Sequence, residues 1–550
     1  MMTDTVIVDG AALTLEQVDS VARHRAPVAL TSDPAVLGRI RSSYELNHRL
    51  LARGTPIYGV TTGLGDSVDR HIGLDRAAAL QANLVTYLGC GVGEYLPVEE
   101  CRAILLARIN CLAKGYSAVR LTLVERLVDL LNRDIVPCIP RMGSVGASGD
   151  LIPASYVAAV VMGQREVYDR GRVRPTREVY AEAGLAPLSL EPKEGLAMVN
   201  GTNFMTGISI LAVEDAYRLA IVADACTAMA TEVLTGITGP FDPFLHDVVK
   251  PHPGQIVSAR RIWAVLEGSR LARTYDDLVR EVGVIETGFR RVEAKIQDKY
   301  SIRCAPQCIG ALYDAVAWVR RTLAVELNSS NDNPLYDLES GEVRSGGDFS
   351  GFHVGLAMDT LKIAVASVAD LLDRQFELIN DEKYNMGLGM CCISPLPEHH
   401  PEAGTHHGFK GMQLAISAVT AEALNACAPM TVFSRSTACH SQDKVSMGAA
   451  AARQAREVVG LTQTVAAIHL LILCQAADLR GADRLGRGSR RVYEAVRAVS
   501  PFVARDRELR GDIEQVVELI ASGRLARAID GLTGAEAFGY APGTNGRDAR

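Results

Sequence analysis

The chain has 550 residues, 48% hydrophobic and 22% charged, with 49 Gly and 22 Pro. That is too long for one compact core and ordinary in globular composition, which excludes a small module, a collagen-like repeat and a disordered chain. Lys and Arg number 57 against 64 Asp and Glu, a net charge of −7, so no basic field exists to hold a phosphate backbone, and nucleic acid is not an expected partner.

The start, MMTDTVIVDG, carries acids and lacks the basic and long apolar regions of a secretion signal. Twelve cysteines scattered from 90 to 474 form no framework, as reduced thiols do in a reducing compartment. The expected location is the cytoplasm. VIVDG at 6–10, PIYGVTTGLGD at 56–66 and RMGSVGASGDLIPAS at 141–155 are glycine-bearing segments set among helical stretches at 97–115 and 120–133. They predict an N-terminal, loop-bearing domain over 1–215. Residues 254–305, 335–394 and 430–500 contain no proline. Val354, Leu361, Val365, Val368, Leu372, Phe376 and Ile379 recur at helical spacing, which predicts long helices and a central bundle over 216–500. The uncharged run Val458–Ala477 has the length of a membrane span, but Thr462, Gln463, Thr464, His469 and Gln475 mark a buried core helix. A tail follows over 501–550, ending APGTNGRDAR. The expected fold class is mainly α, with no sheet of alternating residues and no membrane partner.

No GxxxxGKS/T, GxGxxG, HExxH or GxSxG motif is present, which removes the common nucleotide, zinc-protease and serine-hydrolase readings. The pairs His399–His400 and His406–His407 lie in PLPEHHPEAGTHHG without a clean tetrahedral spacing, and no metal is expected. In GSVGASGDLIP, at 143–153, Ala147, Ser148 and Gly149 are three small residues in one tight turn. Such a segment serves as a flexible loop or an anion nest. It also suits backbone cyclisation: the unobstructed Gly149 nitrogen can attack the Ala147 carbonyl and Ser148 can lose its hydroxyl, leaving a methylidene-imidazolone electrophile that ordinary side chains cannot supply. Four further segments stand out: Ile57-Tyr58-Gly59-Val60-Thr61-Thr62-Gly63, Ala197-Met198-Val199-Asn200-Gly201-Thr202-Asn203, Tyr300-Ser301-Ile302-Arg303-Cys304-Ala305-Pro306-Gln307 and Asn331-Asp332-Asn333-Pro334. Each alone reads as packing, capping or surface polarity.

In this order, together with Phe433-Ser434-Arg435-Ser436-Thr437 and Gln442 to Gly448, these segments resemble the aromatic amino acid ammonia-lyase and 2,3-aminomutase family, over about residues 50 to 480. GDS at 65–67 and HHGFKGMQ at 406–413 place the likeness nearest to bacterial phenylalanine-type members. The resemblance implies a tetramer-forming, mainly helical fold and elimination of ammonia from phenylalanine or a close analogue, with 2,3-amino migration as the alternative. It implies that Ala147, Ser148 and Gly149 become 4-methylidene-imidazol-5-one autocatalytically, with no external cofactor. Tyr58 is implied as the base. An ordinary tyrosine phenol is protonated at neutral pH, so the site must stabilise phenolate. Arg303 is implied to hold the substrate carboxylate, which a guanidinium matches bidentately, with Asn333 assisting. Asn200 is to contact the imidazolone and Tyr300 to complete the proton environment. Asn203, Phe349 and Gln442 are placed at the substrate by the same likeness, and the pair Tyr87-Leu88 is to choose the ring. Similar phenylalanine enzymes carry Phe-Leu there, tyrosine enzymes His-Leu and histidine enzymes Ser-His, so histidine is disfavoured. Three positions depart from the pattern: Leu64 replaces an aromatic, Asp348 an asparagine and Ala438 a glutamate. A homotetramer with sites shared between subunits is the implied assembly.

Overall fold

A computed structural model describes residues 4–292 and 294–533. The chain forms two compact units. The first takes in the chain up to Glu214, then Trp318–Thr360 and Pro429–Arg456; the second takes in Asp215–Ala317, Leu361–Ala428 and the chain from Glu457. The expectation had one boundary near 215 and another at 500. The chain instead returns to its first unit twice, and what it brings back includes Asn333, Phe349 and Gln442.

All the short strands described belong to the first unit. Val6–Val8 pairs in parallel with Val28–Leu30, Val92–Tyr95 pairs antiparallel with Pro140–Met142, and Glu166–Asp169 sits between Val136–Pro137 and Arg172–Pro175. Leu335–Asp337 and Glu342–Arg344 make a hairpin that presents the loop after it. The helix Val98–Ala113 is buried without a break from Glu100 onward, because its sequence is apolar on every side, as a central helix must be. Two of its polar residues are paired internally: Arg102 pairs with Asp134 at 2.8 Å, and Asn110 donates to the Leu327 carbonyl at 2.9 Å.

The molecule is mainly helical, as the sequence predicts. The apolar series from Val354 to Ile379 falls in the helix Phe352–Asn380, and all seven of its members are buried. The run from Val458 lies in Gly448–Arg480, a helix long and apolar enough to cross a membrane whose most apolar window is 78% buried inside the protein. The other two proline-free runs are more broken than predicted. In 254–305 the helix Pro253–Val265 ends early, and Tyr275–Val282, opened by a capping box on Thr274, stops at Gly283 with φ +66°; a glycine in the left-handed region ends helices readily. Residues 430–447 form a loop with one 3-10 turn. The tail holds helices at Arg510–Ala521 and Arg524–Thr533, and residues 534–550 lie outside the described residues.

In the second unit, Asp224 is fully buried and accepts from Ser258 at 2.5 Å, from Tyr313 at 2.8 Å and from Arg261 at 3.4 Å. Burial, partly offset by Arg261, raises its carboxyl to about 7. His469 is also fully buried, near Gln375 Oε1 at 3.2 Å, and burial pushes its pKa down to about 3, so it is held neutral.

Candidate active site

The Ala147-Ser148-Gly149 segment owes its shape to glycine. Gly149 has φ +69°, and a Cβ there would lie 2.0 Å from the Gly201 carbonyl oxygen, a contact no side chain survives. The two glycines form a parallel bridge: Asp150 N donates to Gly201 O at 2.8 Å and Gly201 N donates to Ser148 O at 3.2 Å. Asn200 Nδ2 donates to the same Ser148 oxygen at 2.9 Å. That carbonyl therefore has two donors aimed at it, the arrangement that favours negative charge on an oxygen. The Ser148 hydroxyl is held by Gln442 Nε2 at 2.9 Å. Two helices start beside the segment, at Leu151 and at Asn203. Between them Asp150, fully buried, accepts from Ser144 Oγ at 2.6 Å and from Met205 N at 2.9 Å, its carboxyl raised to about 6 by burial against those two bonds.

The Tyr58 loop is knitted locally. Ile57 N donates to Thr61 Oγ1 at 2.8 Å, Gly59 N to Thr62 Oγ1 at 3.1 Å, and Gly59 takes φ +66°, so threonine and glycine do here what they do in tight turns. Gln81 links this loop to the Asn200 segment: its Nε2 donates to Gly59 O at 2.8 Å, and its Oε1 accepts from Leu196 N at 2.9 Å. Tyr58 Oη accepts the Gly65 N–H at 2.9 Å, a backbone donor that favours negative charge on that oxygen. Tyr87 is near enough to feel it. Burial of the phenol and then the charge of Tyr58 raise the Tyr87 pKa.

These groups line one cavity of about 820 Å3 in the first unit: Tyr58, Leu64, Tyr87, Leu88, Ala147, Ser148, Gly149, Asn200, Asn333, Phe349 and Gln442 are all on its wall. Asn333 is fixed by the loop after the hairpin. Its Oδ1 accepts from Gly346 N at 2.7 Å, and its Nδ2 donates to Ser345 Oγ at 3.1 Å. Before it, Asp332 is buried against Lys193 Nζ at 2.6 Å.

Three expected site residues are elsewhere. Asn203 is not on the wall: it is buried behind the segment, with Nδ2 on the Ala107 carbonyl at 3.0 Å. Tyr300 and Arg303 belong to the second unit, where the Arg303 guanidinium lies 4.5 Å over the Tyr300 ring and its buried Nε has no hydrogen-bond partner among the described residues. Of the three departures, Leu64 and Ala438 line the cavity and Asp348 does not. Ala438 opens a run of three residues with positive φ, 438–440. Ser345 and Arg70 also line the cavity without having been singled out, as does Lys444, which was named only as part of the Gln442 to Gly448 segment and given no role. The hairpin sequence before Ser345 was the available signal for it; the two cations sit in loops whose course the sequence does not disclose. Among the described residues no group of three or more His, Cys, Asp or Glu could hold a metal.

The aromatic amino acid lyase family model matches residues 13–498. The chain is 39% identical to the histidine ammonia-lyase of Caldanaerobacter subterraneus subsp. tengcongensis, over 95% of this chain and 98% of that one. It is also 39% identical to the MIO-dependent tyrosine 2,3-aminomutase of Streptomyces globisporus, over 95% of this chain and 96% of that one. The crystal structure of tyrosine aminomutase from the same organism matches with a TM-score of 0.91 at 38% identity, covering 96% of this chain and 99% of that one. These relatives are named for histidine and tyrosine, and the expected nearness to phenylalanine-type members does not follow from them. The chain belongs to the aromatic amino acid lyase family, whose members include ammonia-lyases and aminomutases.

Proposed function

We propose that the protein eliminates ammonia from an aromatic L-amino acid, phenylalanine or a close analogue, giving an arylacrylate such as trans-cinnamate. The reading rests on one observation: Tyr58, Ala147-Ser148-Gly149, Asn200, Asn333, Phe349 and Gln442 share a single cavity wall.

The residues present fit a 4-methylidene-imidazol-5-one. Gly149 has no room for a side chain, the Ser148 carbonyl has two donors, and Asn200 Oδ1 is buried with no hydrogen-bond partner among the described residues. Closure joins Gly149 N to the Ala147 carbonyl carbon, whose oxygen leaves as water with the amide hydrogens of Ser148 and Gly149. Ser148 then loses its α-hydrogen and its hydroxyl as a second water. When formed, the group supplies an electrophile that turns the substrate amine into a leaving group. Tyr58 Oη takes the β-proton, with the Gly65 N–H supporting charge on that oxygen. Asn333 offers its amide to the substrate carboxylate, and Leu84, Leu88 and Phe349 keep water from the ring. The Tyr87 phenol adds a polar group at the ring end of the pocket, and the Tyr87-Leu88 pair carries no imidazole to receive a histidine substrate. Arg303 and Tyr300 join the site from other copies of the chain in a homotetramer, the pairing with the carboxylate supplied by Arg303. The twelve cysteines are all free thiols, in keeping with a cytoplasmic enzyme.

A second reading, a 2,3-aminomutase, is favoured by Ala438 on the cavity wall. A methyl stands where phenylalanine lyases carry a glutamate near the amine, which changes how ammonia is handled before the acrylate leaves. Timed product analysis on L-phenylalanine, L-tyrosine and L-histidine, by chiral chromatography with mass detection, separates the readings. Arylacrylate and ammonia without an early β-amino acid is the expected result. A β-amino acid ahead of free acrylate means the mutase, and turnover of L-histidine alone overturns the substrate assignment. Loss of near-ultraviolet absorbance in Ser148→Ala checks the prosthetic group independently.

A further inference from the structure

Arg108 lies on the wholly buried stretch of the Val98–Ala113 helix and is only 2% exposed. A guanidinium keeps its charge in any protein environment, and burying it unpaired is costly because its hydration is lost without replacement. Among the described residues it makes no ion pair. Its Nη1 donates to two backbone carbonyls, Ala197 O and Asn200 O, each at 2.9 Å, and its Nη2 is buried with no hydrogen-bond partner among the described residues. That nitrogen sits beside Gly201, where a Cβ would come within 3.2 Å of it.

The two faces of one peptide make this placement chemical. The Asn200 carbonyl accepts from Arg108, and the Gly201 N–H of the same peptide donates to Ser148 O at 3.2 Å. An amide whose oxygen accepts a charge-assisted bond donates more strongly from its nitrogen. We propose that Arg108 is a positioning residue of the reaction: acting through the Asn200–Gly201 peptide, it sets positive charge behind the Ser148 carbonyl oxygen and makes Ser148 Cβ a stronger electrophile. The inference rests on the reading that the Ala147-Ser148-Gly149 segment cyclises. The same oxygen matters twice. When the Ser148 α-proton leaves, its electron pair is carried by that carbonyl until the hydroxyl departs from Cβ and the new double bond forms. A nucleophile that later adds to Cβ pushes its electrons onto that oxygen again.

A purely structural role would be capping of the carbonyls that end the Glu194–Val199 helix. Charge and capping separate by substitution: Arg108→Lys keeps a cation, while Arg108→Gln keeps a neutral donor. The full-length protein is prepared as parent, R108K, R108Q and Ser148→Ala. Intact mass reads the loss of two waters, and cyanide titration of the near-ultraviolet band reads addition to Ser148 Cβ apart from turnover. R108Q is expected to bind cyanide about tenfold more weakly than the parent, less than the roughly 10²–10³ lost with a direct donor to a developing oxyanion because Arg108 acts through the intervening peptide, with R108K nearer the parent. A folded R108Q that keeps its two waters while R108K loses them also supports the proposal. Equal cyanide affinity in R108Q and the parent, or equal losses in R108Q and R108K, overturns it. Where R108Q does not fold, as its melting midpoint shows, Arg108→His serves as the neutral donor. A parent protein that retains both waters overturns the cyclisation reading itself, a result distinguishable from failure of the Arg108 role.

Discussion

In the proposed reaction Tyr58 and Gly149 carry opposite demands on a side chain: one must present an oxygen, the other must present nothing. Tyr58→Phe removes the oxygen and leaves the ring in place, so turnover should fall by roughly 10²–10⁴, the share of a positioned general base, with the near-ultraviolet band unchanged. A variant that keeps most of its rate would remove Tyr58 from the role. Gly149→Ala should give the reverse pattern, a folded protein with no such band, because the added methyl meets the Gly201 carbonyl; difference absorbance against the parent decides it. The triad stood out in the sequence as three small residues in one tight turn, whereas Tyr58 was singled out only through the family resemblance, because a tyrosine before a glycine- and threonine-rich turn reads by itself as packing. Arg108 was not legible. Nothing in LLARINCLA separates an arginine that snorkels to solvent from one buried against a carbonyl. Asn203 misled for a related reason, since adjacency to Asn200 says nothing of which wall of the segment a helix-start asparagine faces.

Among the elements, the loop that ends in Asn333 is held from beneath. Lys193 and Asp332 are both fully buried, 2.6 Å apart, and Ser117 Oγ donates to the other carboxylate oxygen at 2.7 Å. Lys193→Met would strand the carboxylate without its cation, a loss of roughly 3–5 kcal/mol to be read in urea unfolding at neutral pH. An unfolding free energy within error of the parent would mean the pair carries no net stability. The long apolar helices were readable from their 3.6-residue period, as the buried series in Phe352–Asn380 shows. The segments 283–299 and 430–447 were not, because absence of proline permits a helix without requiring one. Their courses follow from glycine and from residues such as Ala438 and Met447 taking positive φ, a choice made by surrounding contacts rather than by local preference.

For the molecule as a whole, pH enters through groups locked away from water. His469 is neutral when folded, with its pKa lowered by burial to about 3. In the unfolded chain it takes up a proton near its ordinary value. Stability from this group is therefore complete above that value and declines as pH falls toward 3. Each pH unit between the unfolded and folded values is worth about 1.4 kcal/mol, so the decline amounts to a few kcal/mol. His469→Gln should flatten the acid limb of a plot of unfolding free energy against pH, and an unaltered limb would show that His469 does not govern it. Asp224 acts with the opposite sign: its carboxyl is raised to about 7, so its contribution is full in acid and diminishes as pH rises through neutrality. The division of the chain was the least legible feature at this scale. Contacts between residues 1–214 and two later stretches leave no mark in composition.

The bond from Gln442 to the Ser148 hydroxyl spans 294 positions of sequence, and the Gly149–Gly201 bridge spans 52. A nascent chain emerging from the ribosome meets these partners at different moments. The backbone cradle can close once residue 201 has cleared the exit tunnel, but the Ser148 hydroxyl gains its amide partner only when most of the polypeptide has been made. On the proposed cyclisation the near-ultraviolet band becomes a clock on biogenesis, registering that distant stretches of one translation product have found each other, and truncated products ending before residue 442 should gain the band late or lack it.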